Sequence, residues 1–295
     1  MTSIRPVAAI ALACAACGSN ASTNDSATSG TDAATSSGSG DAATGSDAAS
    51  GTDGSSSGSG EKFSFFVTSL AGLQRLSGSS LGFGGKLSYG ETGAGAGLRG
   101  ADKICAALAE SSLAGAGAKP WRAFLSAKDG GSGTQVNAID RIGSGPWYDR
   151  LGRLLAPTLA DLMGTRPANG DATIKNDFPN ELGVPNHDPD GTGDVDNHDM
   201  LTGSNTSGEL YAATANCLDW TASAGNKTTE GQPRVGHSWP RGSGGGSQDS
   251  WMSSLTESGC APGVNLVEMG GPQASSNTVG SGGGYGGFYC FSTTP

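Results

Sequence analysis

Residues 90–110, GETGAGAGLRGADKICAALAE, contain Gly95-Ala96-Gly97-Leu98-Arg99-Gly100, a G-x-G-x-x-G that runs into a helix-like stretch. A dinucleotide fingerprint of this form needs a buried strand just before it and a βαβ unit around it. It also needs an acid about 20 residues on, to hold the ribose. Before Gly95 stands LSYGETGAG, which is no buried strand, and Glu110 and Asp129 flank the place where the acid should be. A nucleotide site is therefore not expected. Past the glycines, Ala101, Ile104, Cys105 and Leu108 share one helical face, with Asp102, Lys103 and Glu110 elsewhere, so an amphipathic helix is expected. Asp102 is expected in its first turn, where a carboxylate suits the helix dipole.

The 295-residue chain carries a formal net charge of −10. Residues 1–17, MTSIRPVAAIALACAAC, have one positive charge, an apolar run from Val7 and small residues before a cysteine, which reads as an export signal. Its end resembles a bacterial lipobox, with Cys17 the expected lipidated residue, Cys14 an alternative, and cleavage without lipid a third reading. Residues 18–60 hold Ser, Gly, Thr, Ala and five Asp with no Leu, Ile, Val or aromatic, a composition too poor in apolar surface to offset ordering entropy. A disordered tether is expected there, and residues 61–295 remain as one domain.

That domain has 16 Lys/Arg against 22 Asp/Glu, and no basic cluster dense enough for nucleic acid. Eight of the acids fall between 171 and 199, opposed only by Lys175. Four cysteines, Cys105, Cys217, Cys260 and Cys290, with no C-x-x-C, read in an exported chain as two disulfides. Spacing leaves all three pairings open.

Along the domain, KFSFFVTS (62–69) reads as a buried strand and WRAFLS (121–126) as an alternating one. LLAPTLADLM suggests a short helical turn or loop broken at Pro157, and CLDWTAS and GGFYCFS suggest two further strands. Residues 164–250 show little period and much Gly, Asn, Asp and Pro, so long loops are expected.

Catalytic signals are weak. Gly78-Ser79-Ser80-Leu81-Gly82 fits a nucleophile elbow, but the same pattern recurs as Gly54-Ser55-Ser56-Ser57-Gly58 in the tether, and neither copy has a strand–turn–helix around it. His187, His198 and His237 offer no triad with a plausible nucleophile, so no enzyme is expected. The acidic stretch NHDPDGTGDVDNHD (186–199) is the one candidate for bound chemistry. Asp188, Asp190, Asp194, Asp196 and Asp199 supply the carboxylates calcium takes, and Gly191 and Gly193 let the loop turn. The D-x-D-G-x-G-D spacing looks like thrombospondin type 3 calcium loops but stands alone. It departs from the EF-hand loop, having Asn197 where the closing glutamate belongs. A solvated acidic loop is the bland reading, calcium the sharper one, and a transition metal on His187 and His198 the third.

Taken together, GLRGADKICAALAESSLAG…WRAFLSA (97–127), MLTGSNTSGELYAATANCLDWTAS (200–223) and the closing FYCF resemble the endostatin domain of collagens XV and XVIII. The chain resembles still more a group of bacterial exported proteins that share these landmarks and AIDRIGSGPWYDRLGRLLA (138–156). The resemblance covers most of 63–166 and 200–291 and lapses between 167 and 199. It implies an α+β, C-type lectin-like fold of two small antiparallel sheets, one or two helices, long loops and two disulfides. The pairing it implies is Cys105 with Cys290 and Cys217 with Cys260. Bridges of that span stabilise by roughly 3 to 5 kcal/mol each. On this reading Gly93 to Gly100 serve close packing of a helix, Arg99, Trp121 and Arg122 are scaffold, and Trp147 and Trp220 are core anchors.

Endostatin's N-terminal zinc histidines and heparin-binding arginine patch have no counterpart here, and the Glu-Pro-Asn, Gln-Pro-Asp and Trp-Asn-Asp triplets of sugar-binding lectins are absent. The expected function is a cell-surface lipoprotein of a Gram-negative bacterium, anchored in the outer membrane and presenting a binding or adhesion domain for a protein, matrix or glycan ligand. Calcium is the one cofactor considered. A structural envelope protein without a dedicated ligand is the alternative, and an exported hydrolase a distant third.

Overall fold

In the computed structural model, residues 62–187, 198–240, 249–266 and 277–295 are described. The expected export segment with Cys17 and the tether 18–60 lie outside them, as do Asp188, Asp190, Asp194 and Asp196. The architecture is α+β with two sheets and two disulfides. It starts from its last strand, β8 (Gly284–Ser292), whose nine residues are all buried. Along one edge β8 pairs antiparallel with β1 (Phe65–Val67). Along the other it pairs with β2 (Trp121–Ala123) through its C-terminal half and with β5 (Asp199–Leu201) through its N-terminal half. β6 (Arg234–His237) and β7 (Leu255–Thr256) extend the sheet beyond β5. A separate two-stranded ribbon joins β3 (Trp147–Tyr148) to β4 (Leu154–Ala156). The sheets are not wholly antiparallel as expected, because β5 runs parallel to β8, its Leu201 opposite Phe288.

Two described helices exceed one turn: α1 (Leu70–Ser77), capped by the Ser69 hydroxyl on the Gly72 amide, and α2 (Ala96–Ser112). A four-residue helix, α3 (Leu159–Leu162), follows Pro157. The apolar face read from the sequence is the buried one, with Ala101, Ile104, Cys105 and Leu108 fully covered. Alternation along β8 sends Tyr289 and Phe291 to one side and Phe288 and Cys290 to the other. On the first side Phe291 packs on Phe65, Trp147, Phe124 and Trp251, and Tyr289 on Trp251 and Phe178. On the second, Cys290 bonds to Cys105 of α2.

The glycines of the opening motif serve that helix. Gly95 enters α2 at φ +73°, a left-handed conformation costly for other residues. A Cβ on Gly97 would collide with the Asp219 carbonyl, and one on Gly100 with the carbonyls of Leu87 and Ser88. Both positions let α2 lie directly on the backbone. Asp102 is not in the first turn as expected, because the helix begins at Ala96. Its carboxylate instead accepts hydrogen bonds from Arg141 at 2.8 and 2.9 Å and from the Ala123 amide at 2.9 Å, tying α2 to β2. Burial raises its proton affinity against the pull of Arg141.

The stretch CLDWTAS is not a strand: Cys217–Trp220 is a helical turn with φ of 50°, 53°, 54° and 65°, and is therefore left-handed. Trp147 and Trp220 are buried, as expected of core anchors, and so is Trp121, which was expected as scaffold. No described helix is long and apolar enough to cross a membrane.

Both expected bridges form, closing separations of 185 and 43 residues. In the chain-entropy account they restrict the unfolded chain by about 5 and about 4 kcal/mol respectively. Urea unfolding of Cys105/Cys290→Ser is expected to show the greater loss and Cys217/Cys260→Ser a somewhat smaller one. An unchanged midpoint in the first variant would contradict β8–α2 anchoring.

Candidate functional site

Two places in the described structure bring chemistry together. The first is a cleft of about 420 Å³ beside the N-terminal end of α2, lined by Ser77, Phe83, Lys86, Tyr89, Glu91 and Ser223 among others. Phe83 and Tyr89 meet edge to face at 5.7 Å, leaving ring surface toward the cleft. Glu91 closes one side and is held by Lys103 at 2.9 Å and Arg99 at 3.1 Å, which keep its carboxyl below the ordinary range. Arg99 also donates to the carbonyls of Ala94 and Thr92, so it is scaffold for the loop that carries Glu91. The cleft thus joins aromatic faces to hydroxyls, one ammonium and one carboxylate.

Its neighbour is the left-handed turn, reached through the pairing of Lys86 with Thr221. Left-handed backbone costs an L-residue roughly 1–2 kcal/mol, and four such residues in succession need support. Cys217 is fixed by its bridge to Cys260, and Trp220 is buried with its indole N–H on the Ser126 carbonyl at 2.9 Å. Asp219 accepts from the Lys128 amide at 2.6 Å, from the Asp129 amide at 3.3 Å and from the Asn216 side chain at 2.9 Å. Leu218 stays 52% exposed. It carries the strain while its side chain faces solvent.

The second place is buried. His198 and Asp199, at the start of β5, lie opposite His237 at the end of β6. Asp199 Oδ1 is 3.1 Å from His237 Nε2 and 3.5 Å from His198 Nε2, and the two imidazoles meet edge to face at 4.2 Å. One nitrogen or oxygen from each of the three residues falls within 4.8 Å of the others, and all three are buried. Glu257, also buried, accepts from Ser281 Oγ at 2.5 Å and the Gly282 amide at 2.6 Å through Oε2. A Cβ on Gly282 would collide with Asp199 Oδ2 and come within 3.0 Å of Glu257 Oε1, so both carboxyls converge on this glycine. Burial, then the charge of Asp199, raise the proton affinity of Glu257 well above the ordinary carboxyl range. Arg166 Nη1 donates to the His237 carbonyl at 2.9 Å, and its guanidinium stands 5.5 Å from the Phe178 ring. Burial lowers its pKa to about 10. The fully buried Tyr289 hydroxyl has no hydrogen-bond partner among the described residues.

Of the five aspartates expected to bind calcium, Asp199 is the one the structure describes, and it stands in β5 between imidazoles. Of the histidines considered for a transition metal, His198 is in the cluster. His187 instead stacks on Trp239, with ring centroids 4.0 Å apart. His237 was not expected there, and Glu257 carried no signal at all. The buried, apolar surroundings of His237 in RVGHSW were the available clue.

No protein-family model matches this chain, and no curated protein matches it.

Replacing Leu218 with glycine removes left-handed strain without removing a buried contact. Urea denaturation is expected to show Leu218→Gly more stable by about 0.5–1 kcal/mol. A loss of stability would mean that Leu218 contributes a contact that outweighs the strain.

Proposed function

We propose that the protein is an exported surface lipoprotein, anchored through Cys17 and the tether 18–60. Its endostatin-like, C-type lectin-like domain binds a hydroxyl-rich extracellular ligand, a glycan, in the cleft between Phe83 and Tyr89. The observation that carries this reading is the pairing of two aromatic faces with the hydroxyls of Ser77 and Ser223 and the opposite charges of Lys86 and Glu91 in one concave site. A pyranose presents an apolar face for ring contact and hydroxyls for such groups, and aromatic surface with a few placed polar atoms is what small-ligand sites share. The strained turn behind the cleft supports the same reading, because left-handed residues persist where the surrounding structure over-determines them and gather at ligand sites. The export signal, the lipobox-like cysteine and the resemblance to endostatin supply the setting, namely a domain held away from a membrane surface by its tether.

Screening the purified full-length protein on glycan and matrix-protein arrays is expected to find a glycan class. Phe83→Ala and Tyr89→Ala are each expected to weaken its binding about tenfold or more. Binding to a matrix protein alone, or glycan binding indifferent to both variants, would remove the cleft from the account. No binding on either array would favour a structural envelope protein.

A further inference from the structure

The buried cluster at β5 and β6 shares no residue with the lining of the cleft, and its geometry answers to a different chemistry. A tetrahedral zinc ion holds imidazole nitrogens and carboxylate oxygens at about 2.0–2.2 Å, which sets neighbouring ligand atoms about 3.3–3.5 Å from one another. Asp199 Oδ1 lies 3.1 Å from one imidazole Nε2 and 3.5 Å from the other. The longer of these is beyond the usual N–H···O range but fits two atoms sharing one ion. Both nitrogens converge on the same carboxylate oxygen, whereas a pair of hydrogen-bonded imidazoles has two oxygens to choose from. We propose that His198, Asp199 and His237 form a binding site for a divalent transition metal ion, zinc foremost, at the junction of β5 and β6.

The surrounding residues make a built site of it. Glu257 faces Asp199 across Gly282 and is itself pinned by Ser281 and the Gly282 amide, the arrangement by which an outer carboxyl orients a ligating one. Arg166 fixes the His237 main chain from the other side. The Tyr289 hydroxyl is fully buried and has no hydrogen-bond partner among the described residues. Trp239 packs edge to face on His198 at 5.2 Å and covers the imidazole. Two imidazoles and one carboxylate suit zinc and its first-row neighbours, and they do not suit calcium, which takes oxygen ligands. The site therefore draws Asp199 into a set different from the acidic loop that precedes it in sequence. With its ligands at the start of β5, on the residue before it and at the end of β6, the ion would clamp these two paired strands together where Asp199 meets His237.

The test uses the full-length protein with both disulfides intact, stripped with chelator and reloaded with zinc or cobalt(II). One equivalent of zinc is expected to bind and raise the melting temperature, and cobalt is expected to give the intense visible bands of a four-coordinate site. Calcium at the same concentration is expected to do neither. His198→Gln and His237→Gln should each weaken zinc binding at least ~100-fold, Glu257→Gln about tenfold, and His187→Ala not at all. Absence of a cobalt spectrum and of a zinc shift in the unaltered protein would overturn the proposal, leaving a hydrogen-bonded His–Asp–His network. Zinc binding that survives both histidine variants, or that is lost with His187→Ala, would also overturn it. The cobalt spectrum is read on the unaltered protein, so a variant that fails to fold leaves the test standing.

Discussion

Burial of β8 over its whole length is the constraint from which the described structure hangs. A strand covered on both faces and paired on both edges must find apolar partners above and below it and hydrogen-bond partners at either side. β1, β2 and β5 supply the edges. The aromatic group around Phe291 and Tyr289 covers one face, and α2 is bonded to the other through Cys105. None of the partner strands exceeds four residues, so their ladders are short, and packing against β8 rather than strand length has to hold them. Local sequence contributes little here; the contacts that matter join residues far apart in the chain. A domain of this kind relies on cross-links, and the bridge spanning 185 residues ties the first long helix to the final strand.

The same constraint places both functional candidates. The glycines that let α2 approach the backbone of 87–88 and 219–220 also fix the loop 83–91 against the left-handed turn, and the cleft lies where those segments meet. Separately, β5 is held by the N-terminal half of β8, which puts Asp199 beside Gly284 and opposite His237. One candidate is thus shaped by close backbone packing around glycine and a disulfide, the other by strand register.

Much of the fold was legible in the sequence where period and composition speak locally. The apolar face of α2, the strand near 65 and the closing aromatic strand all followed from residue pattern, whereas the strand expected over 121–126 stops at Ala123 and the residues after it are buried without alternation. The disulfide pairing did not follow from spacing; it came from resemblance. The turn at Cys217 was misread because Cys-Leu-Asp-Trp has strand-like composition. The forces that bend it left-handed, namely Asp219 on the amides of 128 and 129 and the bridge to Cys260, come from elsewhere in the chain. The His198–Asp199–His237 cluster was only half visible. His198 and Asp199 drew notice within an acidic run, but His237 lies 38 residues on and Glu257 farther still, and only the antiparallel register of β5 on β6 brings His237 to Asp199. The cleft was not legible at all, since Phe83 and Tyr89 both lie within a glycine-rich crossing whose path depends on tertiary contact.

The central claim is that β8 is the stability-determining element on which sheet, helix and both sites depend. Native-state hydrogen exchange of the full-length protein, read by mass spectrometry, tests it most directly, because the slowest amides report the last structure to open. Residues 284–292 and the buried face of α2 should exchange only on global unfolding, while the segments 128–137 and 223–231 exchange by local opening. Exchange across 284–292 as fast as in those loops would contradict the account and place the stabilising core elsewhere.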